Sequence, residues 1–203
     1  MRLVVDGLTC VRGERSLFEG LSFAVGPGEA LLVTGPNGAG KSSLLRLLAG
    51  LLPPSAGQIR FEGDDSDLPI DAAALYVGHL DASKGALTAA ENLGFARALL
   101  GGGGLTAEAA LDALGLAGLA SFPVRTLSAG QRRRLALARL LVAPRPLWLL
   151  DEPATALDAE GQETLAALTG KHLSAGGLVV VAAHTAFALE RVIEIRLGAG
   201  GSA

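Results

Sequence analysis

Gly35-Pro36-Asn37-Gly38-Ala39-Gly40-Lys41-Ser42-Ser43 is the stretch on which the reading of the chain turns. The apolar run Ala30-Leu31-Leu32-Val33 precedes it, and Leu44, Leu47, Leu48 and Leu51 follow at i, i+3, i+4 and i+7. That order predicts a strand, a glycine-rich turn and a helix. Glycines let a backbone wrap a polyphosphate without side-chain clashes, and a helix N-terminus adds free N–H donors and the positive end of its dipole. Lys41 is placed to hold β- and γ-phosphates. Ser42 is placed to ligate Mg²⁺ through its hydroxyl, with Ser43 as a further helix residue.

A chain of 203 residues suits one α/β domain with a full core, or a core carrying one inserted subdomain. Half the residues are hydrophobic and aromatics are scarce, so the core must be mostly Leu, Val and Ala. No apolar run reaches the ~18 to 20 residues of a membrane span, and Met1 to Asp6 lacks a signal-peptide pattern. The expectation is a cytosolic chain whose link to any membrane runs through a partner. Cys10 is the single cysteine, which leaves no internal disulfide and fits a small apolar role. A net charge of −3 gives no electrostatic reason to expect nucleic acid. The one basic run, Arg132-Arg133-Arg134, points in three directions on a helix, and a solvated face is expected of it.

Around the phosphate loop, Leu3 to Val11 and Leu21 to Val25 read as strands separated by polar Gly13 to Ser16, a β-rich lead-in. Pro53-Pro54 and Ser55 to Gly57 end the first helix. Short strands Gln58 to Phe61 and Ala74 to Val77 flank an acidic loop, Glu62 to Asp67. Thr88 and Glu91 have the spacing of a capping box and start a helix to about Leu100. Gly101 to Gly104 form a joint before a second helical stretch from Thr106 to about Leu114. Residues from about 80 to 143 thus read as a mostly helical insertion in an α/β core (1–79 and 144–203), able to rotate as a unit. The α/β pattern resumes with strand Leu147 to Leu150, a helix from about Ala159 to Leu173, strand Leu178 to Ala183 and a further strand from Val192 to Leu197. Gly198 to Ala203 read as a tail. The whole is expected to form a single domain.

Asp151-Glu152 closes the apolar strand that starts at Leu147. A carboxylate there suits a partner of Mg²⁺, assigned to Asp151, and Glu152 is assigned as the base that deprotonates a water. Ser128-Ala129-Gly130-Gln131 opens another helix, again at capping-box spacing, and small residues approaching a helix start make an anion site.

The ordered set of phosphate loop, Leu127 to Gln131, Leu147 to Glu152, Ala156-Leu157-Asp158 and His184 after a strand resembles the nucleotide-binding subunit of ABC ATPases, over nearly the whole chain. The resemblance implies a P-loop NTPase fold with a parallel-sheet core, an antiparallel β lead-in and a helical subdomain, and it implies ATP and Mg²⁺. It implies a head-to-tail pair of such domains, here a homodimer, in which Ser128, Gly130 and Gln131 of one close over nucleotide held by the other. Ala129 stands where glycine is usual. Asp158 matches the loop that couples the two sites, and His184 the histidine that contacts γ-phosphate and supports Glu152.

Two positions depart from that pattern. Tyr76-Val77-Gly78-His79 has histidine where the family usually has glutamine, which leaves His79 a coupling role and puts its contact with Mg²⁺ in doubt. The aromatic that stacks on adenine is replaced near Arg12, whose planar guanidinium can stack on a base. Gly78-His79, the run from Pro123 to Arg134, Leu147 to Pro153 and the short C-terminus are similar to the ATPase subunit of the cytochrome c maturation haem exporter. That implies a peripheral place on the cytoplasmic face of a bacterial inner membrane, bound to integral membrane subunits, with Ser83 to Leu100 as the natural docking surface. An ATPase subunit of another importer or exporter, and an ABC protein using ATP as an assembly switch, remain the competing readings.

Overall fold

A run as apolar as Leu147-Trp148-Leu149-Leu150 needs cover on both faces, and the fold supplies it. The computed structural model of the chain describes residues 1–63, 68–183 and 192–198. In chain order the elements are β1 (Arg2–Arg12), β2 (Arg15–Val25), β3 (Ala30–Thr34), α1 (Lys41–Leu48), β4 (Ala56–Glu62), the single turn α2 (Ile70–Ala73) and β5 (Ala74–Val77). Then come α3 (Ala89–Leu99), α4 (Ala107–Ala113), α5 (Ala129–Val142), β6 (Leu147–Asp151), α6 (Ala159–Ser174), β7 (Leu178–Ala182) and β8 (Val192–Arg196). Short 3₁₀ turns at Ala117–Leu119 and Val124–Thr126 join α4 to α5.

Two sheets form. One is antiparallel in the order β2-β1-β4; the other is wholly parallel in the order β5-β6-β7-β3-β8. Side chains alternate across a strand, so each parallel strand feeds two cores. Trp148, Leu150, Val179 and Val181 face Leu93 of α3, Leu111 of α4, Leu135 of α5 and Leu165 of α6. Leu147, Leu149 and Val180 lie on the other side with Leu44 and Leu45 of α1 and with Leu3, Val5 and Leu8 of β1. Cys10 is buried in this second core, as a small apolar side chain would be.

The expected strands and helices recur within a few residues, with two corrections. β2 begins at Arg15, ahead of the apolar run Leu21 to Val25, because Ser16 pairs with Val11 and Arg15 with Arg12 through backbone alone. Periodicity cannot see a strand held by its ladder rather than by a buried face. Leu51 does not extend the apolar stripe of α1: the helix stops at Leu48, Gly50 turns with φ 68, and Leu51 is 64% exposed. The acidic residues 64–67 and the tail from 199 lie outside the described residues.

Trp148 stacks on His172 in the last turn of α6, with ring centroids 3.9 Å apart and planes 7° apart. His172 Nε2 lies 3.1 Å from the Pro146 carbonyl, which can only accept, so that nitrogen carries the proton. Burial holds the imidazole below its ordinary value of 6.5, against the opposing pull of the Pro146 carbonyl. A histidine that charges less readily when folded leaves the unfolded chain with more bound protons. Its contribution to stability is therefore full above about pH 6.5 and is lost as pH falls through the lower folded value. His172→Phe keeps a ring against Trp148 and should lose less thermal stability between about pH 8 and about pH 5 than the parent, read as two melting midpoints. A second expectation concerns Gly57, at φ +82, where a Cβ would lie 2.4 Å from the Gly7 carbonyl. Gly57→Ala should lower the unfolding free energy read from urea titration by more than the roughly 1–2 kcal/mol of a left-handed alanine, since β1 and β4 must also part.

Candidate active site

Parallel strands end at one edge, and ligands of open α/β sheets bind there. β3 runs into Gly35 to Gly40, β5 into Gly78-His79, and β6 ends at Asp151. A cavity of about 570 Å³ opens between them, lined among others by Asn37, Lys41, Ser42, His79, Asp151 and Glu152.

The phosphate loop is shaped for close approach. Gly35 has φ 136, and a Cβ there would stand 2.4 Å from the Leu197 carbonyl oxygen, so only glycine fits. The Ala39 N–H donates to the Pro36 carbonyl at 3.2 Å, closing a turn, and Gly40, at φ 101, forms the N-cap of α1. Gly35 and Ala39 build the floor of the loop. Pro36, Asn37, Gly38, Gly40, Ser42 and Ser43 line the cavity itself.

No side chain caps α1 and no acid sits in its first turn. The other helices of seven residues or more are all capped, by Thr88, Thr106, Ser128 and Asp158. The first N–H groups of α1 are left open toward the cavity. Lys41, 8% exposed, donates from Nζ to the Gly35 carbonyl at 2.8 Å and the Pro36 carbonyl at 3.3 Å. Among the described residues no carboxylate comes within ion-pair distance of it. A buried ammonium with only neutral acceptors fits an anionic group.

Asp151 is 2% exposed, and its Oδ2 accepts a hydrogen bond of 3.0 Å from the Tyr76 hydroxyl. Burial and then the Asp151 charge push the Tyr76 phenol above its ordinary value, so it stays a donor. The Ser42 hydroxyl and the Asp151 carboxylate are hard oxygen donors on one cavity wall, the chemistry that suits Mg²⁺. Glu152 has φ 48, in the left-handed region. Its N–H donates to the Ala182 carbonyl at 2.8 Å, and its own carbonyl accepts from Thr155 at 3.2 Å.

Ser128, Gly130, Gln131 and Asp158 line a different cavity, of about 360 Å³, which shares no residue with the first. The capping box is present: the Ser128 hydroxyl accepts from the Gln131 N–H, and Gln131 Oε1 accepts from the Ser128 N–H. A Cβ on Gly130 would lie 2.9 Å from the Ala156 carbonyl, so glycine lets α5 start against that loop. Asp158 caps α6 through the Gly161 N–H and pairs with Arg134. The Arg134 hydrogen bond, then the Gly161 N–H, holds its carboxyl below the usual range.

The expected solvated face at Arg132 to Arg134 is overturned. Arg132 donates to the Leu127 carbonyl, Arg134 pairs with Asp158, and Arg133, 3% exposed, donates to the Gly78, Asp151, Glu152 and Pro153 carbonyls. All three bind their own chain. A charge run read by itself carried no sign of carbonyls delivered from two other loops. Sequence reasoning also missed Leu17 and Thr155, which line the cavity, and it quoted Tyr76 beside Gly78-His79 without giving it a role, since its hydrogen bond to Asp151 is set by the pairing of β5 with β6. Arg12 lies exposed at the end of β1, and the cavity wall is Leu17 instead. His79 is exposed and does line the cavity. His184 lies outside the described residues.

The ABC transporter family model matches residues 18–155. The cytochrome c biogenesis ATP-binding export protein CcmA of Rhodopseudomonas palustris (strain BisB5) is 53% identical over 193 residues, covering 95% of this chain and 96% of the relative. Its namesake from Nitrobacter winogradskyi is 52% identical over 198 residues, covering 98% of each. Among solved structures, the ATP-binding cassette MJ0796, a dimer bound to ADP and Pi, matches with a TM-score of 0.78 at 24% identity, covering 96% of each chain. An ATP-binding subunit of an ABC transporter matches with a TM-score of 0.79 at 24% identity, covering 91% of this chain and 80% of its own. The phosphate loop on an uncapped helix, the carboxylates at the neighbouring strand end and the near-full-length likeness to CcmA agree: the chain belongs to the ABC transporter family, as an ATP-hydrolysing subunit of the cytochrome c biogenesis export group.

Proposed function

We propose that the first cavity hydrolyses ATP, and that hydrolysis powers haem export, or release of a haem-loaded chaperone, in the biogenesis of c-type cytochromes. The observation that carries the catalytic reading is the buried Lys41 ammonium on the uncapped start of α1, without an ion-pair partner among the described residues and lining one cavity with Asp151 and Glu152. CcmA relatives at about half identity along nearly the whole chain support the biological role.

In this reading Lys41 and the open N–H groups of α1 hold the β- and γ-phosphates and neutralise charge that builds up during transfer. Ser42 and Asp151 hold Mg²⁺, which when bound supplies positive charge shared between phosphate oxygens. Glu152 accepts a proton from the water that attacks the γ-phosphorus, and ADP leaves. His79 stands on the wall where it can sense that chemistry. His184 is assigned, by the family resemblance, to support of Glu152. Ser128, Gly130 and Gln131 serve the cavity of a second copy in a head-to-tail homodimer, and Asp158 borders that contact. Residues of about 80–143 pass the motion to integral membrane subunits at the cytoplasmic face of the inner membrane. Among the described residues no helix is long and apolar enough to cross a membrane, so contact through such subunits suits this chain. Phe95 and Leu99 are exposed on α3 within the expected docking stretch.

Glu152→Gln removes the base and keeps the shape. The purified full chain should still bind ATP, lose hydrolysis by about 100-fold or more and accumulate as a dimer. Introduced at the chromosomal locus, the same change should abolish haem-dependent peroxidase staining of c-type cytochromes while other haem proteins persist. Normal staining with hydrolysis absent would sink the cytochrome assignment and leave the ATPase reading intact.

A further inference from the structure

The Arg133 guanidinium makes four hydrogen bonds beside the first cavity and is not itself among the residues that line it. Nε donates to the Pro153 carbonyl at 3.1 Å and Nη1 to the Gly78 carbonyl at 2.6 Å. Nη2 is shared between the Asp151 carbonyl at 2.7 Å and the Glu152 carbonyl at 2.9 Å. Among the described residues the nearest carboxylate oxygen, Asp81 Oδ1, is 4.0 Å away, so the main partners of this cation there are backbone oxygens. Those oxygens belong to the two loops that present His79 and Glu152. A guanidinium offers its donors in a rigid planar fork, so its orientation fixes the carbonyls relative to one another.

The backbone at Glu152 needs such a restraint. Its φ of 48 is sterically disfavoured for a residue with a Cβ, and such a conformation persists only where its surroundings over-determine it. The two carbonyls that share Nη2 lie on either side of that residue. Relaxation of Glu152 to an ordinary φ would rotate one of the flanking peptides and break one of those bonds. Arg133 also sits two residues after Gln131 on α5, the helix whose start lines the second cavity. A shift of α5 therefore displaces the Gly78 carbonyl and the 151–153 carbonyls together.

We propose that Arg133 is a positioning residue for ATP hydrolysis: it holds Glu152 in the left-handed conformation that aims its carboxylate, and it ties that aim to the position of α5. The second cavity is thereby linked to the base through one side chain. The inference rests on the role proposed for Glu152.

The test compares the full chain with Arg133→Met, Arg133→Lys and Glu152→Gln, measuring affinity for a fluorescent ATP analogue separately from steady-state kcat and KM. Arg133→Met should keep nucleotide affinity within about 3-fold and lose kcat about 10- to 100-fold, the scale of a misplaced catalytic group. Arg133→Lys, which can donate to some of the carbonyls, should recover part of that kcat. Hydrogen exchange of residues 152–157 should quicken in Arg133→Met without ligand. If kcat is unchanged, the proposal fails. If affinity, kcat and melting temperature fall in parallel, Arg133 is only structural and the proposal fails as well. Should the methionine variant not fold, the same split between affinity and kcat is read from Arg133→Lys. An inactive Glu152→Gln beside a fully active Arg133→Met overturns this inference alone. An active Glu152→Gln overturns the assignment of the base, and this inference with it.

Discussion

Parallel pairing of β5, β6, β7, β3 and β8 sends every carboxyl end to the same edge of the sheet, so loops far apart in sequence meet there. The loop after β3 brings glycines and Lys41, the end of β6 brings Asp151 and Glu152, and the end of β5 brings His79. Burial on both faces is what keeps these ends in register. Leu147 and Leu149 are locked against the α1 side while Trp148 and Leu150 are locked against α3 to α6, so a slip of one residue would exchange two cores of different shape. The chemistry at the edge is as fixed as that packing.

Charge at the edge follows a consistent rule. Among the described residues the buried cations are given carbonyls, and the buried carboxylate, Asp151, is given a phenol. Lys41 bonds two carbonyls of its own loop, which hold the ammonium in place without cancelling its charge. Arg133 bonds four carbonyls and so stabilises loop backbone, with Asp81 at 4.0 Å as its longer ionic contact. The Tyr76 hydroxyl donates to one oxygen of Asp151.

Much of this was legible in residue order. The glycine-rich turn between an apolar run and a helix, and the Thr88 and Ser128 capping boxes, are local signals set by backbone needs of a few adjacent residues. Arg133 was not legible, because a side chain's partners are decided by which loops the sheet brings to it. Ser16 in β2 was missed for a related reason: its place is set by ladder bonds to Val11, and its side chain carries no apolar period. Leu51 misled in the opposite direction. It kept the helical spacing, yet Gly50 had already turned the chain, and i+7 spacing says nothing about where a helix stops. Arg12 stood near the right hairpin, but alternation along β2 puts Leu17, not the end of β1, against the loop.

The two cavities of one chain cannot serve each other. Gly130 is pressed against the Ala156 carbonyl, and Arg133 anchors the same helix to the ends of β5 and β6. Swinging Ser128 over Lys41 within the chain would break both contacts. In the proposed homodimer a second copy, brought in head to tail, would present its Ser128 cavity to Lys41 while each chain keeps these contacts. The anchoring that makes self-completion costly also makes α5 a stiff reporter. Whatever closes on Ser128 pushes against a helix whose first turns carry Gly130 and Arg133, and the load is delivered to the carbonyls that flank Glu152. The proposed head-to-tail arrangement and the proposed coupling of the two sites would thus draw on the same set of backbone contacts.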